Sequence, residues 1–326
     1  MSKRRVIVTG ASGFIGTNYM EYLIKKGDDE YINIDIRPPR NSAHDRFWKK
    51  CDIMDADLLK KIVKEFSPTH VAHLAAKTGI DVTSLEDFAP NIQGVENLIN
   101  ALQEAGTVER AIFTSTMLVC GRGYVPKHDT DYKPVNLYGE SKVQGEKIVR
   151  AHKDLNFTWT ITRPIGVWGP WEEEPYRSFF RFINKGLYVH PGSGHYKKRF
   201  GYVGNIVHEM ESIFKAPKEK VSGKTFYVSD DVVDLYDFAE EIRRSLGAKK
   251  IMHIPYWIVR SAGMAGDVLK KIGWEGVPFT TFKLDNMTRA FNYDLSPIME
   301  ISAPLPFSMK VGIANTIEHM RRVGEL

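Results

Sequence analysis

A doubly wound α/β fold, with a parallel sheet and a smaller mixed α/β region after it, is what this 326-residue sequence predicts. Three observations carry the prediction. The apolar run Arg5-Val6-Ile7-Val8 passes directly into Thr9-Gly10-Ala11-Ser12-Gly13-Phe14-Ile15-Gly16, after which residues 14–24 follow a helical period. Strand-like and helix-like periods then alternate as far as Pro164. Beyond that point the composition shifts to a loop rich in breakers and aromatics, Trp168-Gly169-Pro170-Trp171. Strands separated by helical crossovers imply parallel pairing with helices on both faces.

The first strand–turn–helix is the most informative element. Its three glycines make a turn whose backbone N–H groups can touch a ligand, and the N-terminus of the following helix points at the same spot. Gly10, Ser12, Gly13, Phe14, Ile15 and Gly16 are therefore read as a Rossmann-type dinucleotide site. The plainer alternative is an ordinary turn whose glycines serve backbone geometry alone. Residues 31–35 form a second strand ending in Asp35, about twenty residues beyond the glycines. A carboxylate there can accept hydrogen bonds from ribose hydroxyls and repels a phosphate on that ribose, which favours NAD over NADP. Arg37 and Arg40 follow and partly offset that charge.

The remaining elements follow in order. Residues 57–66 read as a helix, 69–74 as a strand, 92–105 as a helix, 110–114 as a strand, 138–152 as a helix and 157–162 as a strand. In such sheets ligands bind outside the carboxyl ends of the strands. Later, 177–184 reads as a short helix, 191–194 as a turn, 225–229 as a strand, 235–246 as a helix and 256–272 as one or two helices. The division expected is a nucleotide-binding domain over 1–165, to which 203–230 returns, and a substrate-binding region over 166–326.

Bulk properties exclude several classes. Apolar residues make up 43% and charged residues 26%, as in ordinary globular chains. A net charge of +5 is mildly basic, and no Lys/Arg block is long enough for a nucleic-acid tract. The two cysteines, Cys51 and Cys120, cannot form a disulfide framework, and no Cys/His spacing suggests a metal site. The charged start runs straight into a strand, leaving no room for a signal peptide. No apolar run reaches membrane-spanning length, since 251–265 is interrupted by His253, Pro255 and Arg260. A cytoplasmic protein with no membrane partner is expected.

Tyr138-Gly139-Glu140-Ser141-Lys142 puts a phenol and an ammonium four residues apart, on one helix face. A phenol with a pKa of about 10 is a poor base near neutrality, and a nearby lysine charge, together with that of a nicotinamide, favours the phenolate. Tyr22 and Lys26 share the spacing, but they sit inside the first helix, whereas Tyr138 follows a strand end and a proline-containing loop. Ahead of it, Thr114, Ser115 and Thr116 close a strand. A hydroxyl there can hydrogen-bond a substrate oxygen. Thr114 and Ser115 are expected to bond backbone, which leaves Thr116 as the catalytic candidate.

These residues together resemble the extended short-chain dehydrogenase/reductases of the NAD-dependent epimerase/dehydratase family. The resemblance also rests on Asp52-Ile53, His73-Leu74-Ala75-Ala76, Asn91-x-x-Gly94-x-x-Asn97, residues 113–121, and Arg163-Pro164 with Val167-x-Gly169-Pro170. It implies NAD as cofactor and hydride transfer with Tyr138 as acid/base, Lys142 on the nicotinamide ribose and Thr116 aligning the reacting oxygen. Asp52 and Ile53 would meet adenine, with Leu74, Ala75, Ala76, Thr114 and Pro164 lining the same site. It also implies a homodimer through the helices that start near Asn91 and Tyr138. The second half matches more weakly, at 226–230 with 235–238 and at 198–203. Gly166 stands where many UDP-sugar enzymes carry asparagine, Cys120 replaces the usual tyrosine, and no late Arg-x-Gly-Asp segment is found. The helix over 255–272 resembles that of 4-keto-sugar reductases and hydroxysteroid dehydrogenase-like members.

The resemblance therefore implies a nucleotide-sugar 4-epimerase or 4-keto reductase using NAD(H). Arg177 with Arg181, and Lys197-Lys198-Arg199, are candidates to bind the substrate's diphosphate. The plainer alternative is solvated surface, or pairing with Glu172–Glu174. A second reading is a dehydrogenase or reductase of a hydrophobic alcohol or ketone, suggested by Trp168, Trp171, Phe179 and Phe180, although such aromatics more often belong to a core than to a ligand site. A third is a cofactor-sensing regulator without activity, against which the triad Tyr138, Lys142 and Thr116 argues.

Overall fold

The computed structural model describes residues 3–79, 82–121, 123–274, 276–277, 279–289 and 293–326. The chain opens with β1 (Arg5–Thr9), α1 (Phe14–Lys26), β2 (Glu30–Asp35), β3 (Trp48–Lys50), α2 (Ala56–Phe66) and β4 (His70–His73). There follow α3 (Ala89–Ala105), β5 (Arg110–Thr114), α4 (Leu137–Ala151) and β6 (Thr158–Pro164). The middle carries α5 (Tyr176–Asn184), β7 (Val189–Pro191), β8 (Lys197–Arg199), α6 (Val203–Lys215), α7 (Lys218–Val221) and β9 (Thr225–Val228). Last come β10 (Val232–Asp234), α8 (Leu235–Leu246), β11 (Met252–Ile254), α9 (Tyr256–Lys271), α10 (Thr281–Thr288), α11 (Ser296–Ser302) and α12 (Met309–Arg322).

Two compact units result. The first comprises Met1–Val167, Val203–Ser229 and Tyr293–Pro306; the second comprises Trp168–Tyr202, Asp230–Asn292 and Phe307–Leu326. The segment Tyr293–Pro306 joins the first unit although the sequence reading assigned it to the second. Its helix α11 packs on α6, an association no local pattern announces.

The first unit is a seven-stranded sheet in the order β3-β2-β1-β4-β5-β6-β9. Every pairing is parallel, with Val6 opposite Tyr31 on one side and His70 on the other. The strand order reverses between β1 and β4, so the crevice at their carboxyl ends is where this topology leaves room for a ligand. Val6, Ile7 and Val8 are completely buried, as expected of a central strand covered on both faces. Leu59 and Val63 of α2 lie four apart and join Leu98 and Leu102 of α3 against Ile7 and Ile34 of the sheet.

Local signals set the helix ends. Asp55 caps α2 by accepting the Leu58 N–H at 3.0 Å, and Asn136 caps α4 by accepting that of Gly139 at 2.8 Å. Helix α3 starts earlier than the expected position 92, because Pro90 fits a first turn that needs no backbone donor. Strand β3 escaped the sequence reading: its Lys49 and Lys50 are exposed at the sheet edge and show no apolar alternation.

The second unit has two small sheets, β8 with β10 antiparallel and β7 with β11 parallel. Its core is aromatic: Trp168 lies 6.1 Å from Phe180, 5.1 Å from Tyr202 and 5.0 Å from Phe238, ring centre to ring centre. Trp168 and Phe180, offered above as support for an apolar substrate, are thus core residues.

Candidate active site

At the switch point the chain turns on Gly10, whose φ of +70° is left-handed. A Cβ there would also lie 2.5 Å from the Ala75 nitrogen, so only glycine fits. A Cβ at Gly16 would lie 2.4 Å from the Gly10 oxygen, which fixes how closely α1 approaches the turn. Gly13 is the N-cap of α1 and supplies no side-chain acceptor, and the first turn holds no acid. The helix end is left for an anion.

Asp35 closes one side of this turn. Its two carboxylate oxygens accept the Ser12 and Arg37 N–H groups, each at 3.0 Å. The Ser12 hydroxyl donates to the Arg37 carbonyl at 2.8 Å and accepts from Asn33 at 3.0 Å, while Arg40 Nε donates to the Ser12 carbonyl at 3.0 Å. Ser12 thus ties the turn to the end of β2. On the other side, Leu74 N–H reaches the Thr9 carbonyl at 3.0 Å and Ala75 N–H the Thr9 hydroxyl at 3.3 Å, leaving Leu74, Ala75 and Ala76 half-buried beside Gly10. Ile53 is buried, with a methyl group 2.5 Å from where a Gly94 Cβ would stand, and Asp52 takes the Met54 N–H at 2.9 Å.

Beyond β5, Thr116 and Tyr138 come together across the start of α4. A Cβ at Gly139 would lie 2.4 Å from the Leu118 oxygen, so glycine lets α4 settle onto that turn. The Thr116 hydroxyl accepts the Leu118 N–H at 3.3 Å and stands beside the Tyr138 hydroxyl, whose ionisation it eases. Burial pushes the Tyr138 phenol up to about 12, and the Thr116 hydroxyl opposes that rise. Burial draws the Lys142 ammonium down to about 8, against the pull of the Glu146 carboxylate. In the protein alone, burial dominates at both groups, whereas the sequence expectation counts the nicotinamide charge together with that of Lys142.

The reason lies behind Lys142. Its side chain lines a cavity of about 10 Å³ together with His73, Asn91, Ser115 and Glu146. His73 shares a 2.7 Å hydrogen bond with the Thr9 hydroxyl, and burial followed by the Lys142 charge draws its imidazole down to about 3, so it is neutral. Asn91 spans Lys77 and Ser141, accepting the Lys77 N–H at 2.8 Å and donating to the Ser141 hydroxyl at 2.9 Å. Ser115 N–H donates to the Thr162 carbonyl at 2.7 Å, and the Thr162 hydroxyl donates to that of Thr114 at 3.2 Å.

Beneath this layer runs a buried ion pair that the sequence reading did not single out. Arg163 donates to both oxygens of Glu146, at 2.8 and 2.7 Å, and also to the Tyr227 hydroxyl and the Asp129 carbonyl. Tyr132 donates to Glu146 at 2.9 Å. Arg163 had entered only as part of an Arg-Pro motif. Its partner, one helical turn beyond Lys142, is visible once α4 is laid beside β6. Pro164 closes that strand, half-buried.

The diphosphate candidates lie in the second unit, where Lys198 is committed to backbone carbonyls and Arg177 and Arg181 to a carboxylate. Lys198 is buried, and its ammonium donates to the Asn286 and Arg289 carbonyls at 2.6 and 2.8 Å. Carbonyls at the end of α10 carry partial negative charge, so a lysine is held there as a structural cap. Arg177 donates to Glu325 at 2.8 Å, and Arg181 pairs with the same carboxylate at 3.3 Å. Glu172 instead accepts the Tyr176 and Arg177 N–H groups. Arg199 follows Lys198 on β8 and so projects from the opposite face.

Among the described residues no group of three or more His, Cys, Asp or Glu side chains could hold a metal ion. No helix among them is long and apolar enough to cross a membrane.

With this geometry in place, the family model for the NAD dependent epimerase/dehydratase family matches residues 6–229. The chain belongs to that family. The match covers the glycine turn, Asp35 and all of the Thr116–Tyr138–Lys142 cluster. Among curated relatives, the N-acetyl-alpha-D-glucosaminyl-diphospho-ditrans,octacis-undecaprenol 4-epimerase of Escherichia coli O157:H7 is 27% identical over 325 residues, covering 96% of this chain and 94% of its own. A 3 beta-hydroxysteroid dehydrogenase/Delta 5-->4-isomerase of Mycobacterium tuberculosis is 28% identical, over 75% of this chain and 70% of its own. Among solved structures, the UDP-glucose 4-epimerase of Thermotoga maritima, determined with UDP-glucose, superposes with a TM-score of 0.74 at 21% identity, covering 98% of this chain and 99% of the other. At that identity the likeness speaks for the fold.

Proposed function

We propose that this member of the family is an NAD-dependent 4-epimerase of a sugar carried on a diphosphate. The observation that carries the proposal is the Thr116–Tyr138 hydroxyl pair with Lys142 one turn further along α4, at the carboxyl edge of a sheet whose switch point is a glycine turn. The turn fits a dinucleotide: Gly10 lies against the Leu74–Ala75 backbone with no room for a Cβ, and the N-terminus of α1 carries neither a side-chain cap nor an acid in its first turn. Gly10, Ser12, Gly13, Phe14, Ile15 and Gly16 would hold the pyrophosphate, Asp35 the adenosine ribose, and Asp52 with Ile53 the adenine. Leu74, Ala75, Ala76, Thr114 and Pro164 would line the rest, and Lys142 would hold the nicotinamide ribose.

NAD supplies a hydride acceptor that is regenerated within each turnover. Tyr138 takes the proton of the sugar's C4 hydroxyl as that carbon is oxidised, and returns it when the carbon is reduced from its other face. Thr116 aligns the oxygen, and its hydroxyl stabilises charge on the phenol. The phenol at about 12 needs further positive charge nearby before it can act as a base near neutrality. The ammonium of Lys142, one turn along α4, would supply part of that charge, and the nicotinamide of a bound NAD would supply the rest. Homodimerisation in the cytoplasm is part of the same proposal, as is substrate contact by Arg177 and Arg199. Lys198 is withdrawn from it.

The test is a panel of UDP-sugars and polyprenyl-diphosphate sugars incubated with the purified protein and NAD. Interconversion of a C4 epimer pair without net NADH is expected. Net oxidation or reduction of an apolar alcohol or ketone, with no epimer formed, would sink the proposal.

A further inference from the structure

Helix α9 carries its apolar stripe on the wrong side for a helix that packs only inward. Trp257, Met264, Val268 and Ile272 recur at intervals of seven and four, which aligns them on one face. They are between 49% and 73% exposed, and Trp274, just beyond the helix, is 60% exposed. No other stretch of the described chain exposes large apolar side chains so densely.

Packing holds the stripe outward. The buried face is Val259, Gly263 and Gly266. A Cβ at Gly263 would lie 3.0 Å from the Thr281 nitrogen, and one at Gly266 would lie 1.9 Å from the Phe279 oxygen. Only this glycine face can sit so close to the start of α10, so α9 cannot roll to hide the tryptophan side. The charges are equally one-sided. Arg260, Lys270 and Lys271 are exposed, whereas the single acid of α9, Asp267, accepts hydrogen bonds from Thr281.

We propose that this face of α9 docks peripherally on an anionic lipid bilayer. Trp257 and Trp274, at either end of the stripe, suit the headgroup region, where an indole keeps an apolar body in lipid and its N–H near water. Basic residues beside an apolar stripe are the pattern of helices that lie in that interface, and the chain's net charge of +5 adds attraction to an anionic leaflet. The inference rests on the proposed function in one respect: a diphosphate-linked sugar whose carrier is a polyprenol would be reached at such a surface. The expectation of no membrane partner considered only a spanning run. Docking needs a stripe, and the outward direction of this one is a tertiary fact.

Flotation of the full chain with vesicles tests the proposal without any sugar present. The protein should float with phosphatidylglycerol/phosphatidylcholine vesicles and far less with phosphatidylcholine alone. Trp257→Ser with Val268→Ser should weaken partitioning at least about ten-fold, and Arg260→Gln with Lys271→Gln about five-fold per charge removed. Both pairs should keep wild-type melting temperature and NAD affinity, which separates docking from folding. Absence of flotation with anionic vesicles, or flotation unchanged by both pairs, would overturn the proposal. So would self-association in sedimentation velocity abolished by the serine pair, which would assign the stripe to a second copy. Epimerisation of a soluble nucleotide sugar is assayed separately, so a failure of docking and a failure of the proposed chemistry are told apart.

Discussion

In the protein alone burial pushes the Tyr138 hydroxyl up to about 12, and the neighbouring Thr116 hydroxyl opposes that rise. Removing either oxygen should therefore have different consequences. Tyr138→Phe deletes the group that moves the proton and little volume, so kcat should fall by about 10²–10⁴ while NAD affinity stays near wild type. Thr116→Val should cost less, and should move the pH at which activity rises toward alkaline values, because the hydroxyl that eases ionisation is gone. Steady-state rates across pH with a matched Tyr22→Phe control check both. Lys142 makes a separate thermodynamic prediction. Its folded pKa of about 8 lies below the unfolded value, so the unfolded chain binds more protons in the interval between them and stability rises with pH. Tyr138 and Cys51, at about 12 and 11, act with the opposite sign above their unfolded values. The difference between wild type and Lys142→Met isolates the lysine. Wild type should gain about 2 kcal/mol on the variant between pH 8 and pH 10 in urea unfolding. A flat difference would mean that Lys142 is better solvated than its burial implies.

Helix α4 meets strand β6 through a buried charged contact behind Tyr138 and Lys142. Arg163 and Glu146 are both buried and joined by two hydrogen bonds. Loss of one partner strands the other's charge away from water, so Arg163→Met should destabilise by about 3–5 kcal/mol in denaturant titrations. Pairing it with Glu146→Leu should recover much of that loss. Recovery absent from the double variant would mean that Tyr132, Tyr227 and the Asp129 carbonyl matter more than the ion pair. The second element-scale prediction concerns β8. Lys198 caps the carbonyls at the end of α10, so Lys198→Met should lower the melting temperature by a few degrees and leave affinity for a nucleoside diphosphate nearly unchanged. A large loss of diphosphate affinity without thermal destabilisation would restore the lysine as a ligand.

For the molecule as a whole, the cofactor is the largest reversible lever on stability. A ligand that binds only the folded chain at a hundred times its Kd adds about 2.7 kcal/mol. On the proposed placement of Asp35 at the adenosine ribose, NAD should raise the melting temperature more than NADP at matched concentration and salt, corresponding to affinities about ten-fold apart. Equal shifts would place control of the site with Arg37 or Arg40. Asp35→Asn should narrow the gap by removing the repulsion.

The sequence by itself determined the alternation of strands and helices, the glycine turn, Asp35 and the Tyr138–Lys142 spacing. These are local: glycines between a strand and a helix, a carboxylate at a strand end and two side chains four residues apart on a helix follow from neighbours in the chain. Only the tertiary structure decided what depends on distant partners. Lys198 looks like a free cation beside two others in sequence, yet the end of α10 claims it. Trp168 could serve a core or a ligand on sequence alone, and Phe180, Tyr202 and Phe238 around it make it core. Glu146 reads as one more helix charge until β6 brings Arg163 against it, and the phenol's rise to about 12 comes from burial that no spacing reveals. Charge and apolarity are written in the residue, but desolvation and pairing belong to its surroundings, and those exist only once the chain has folded.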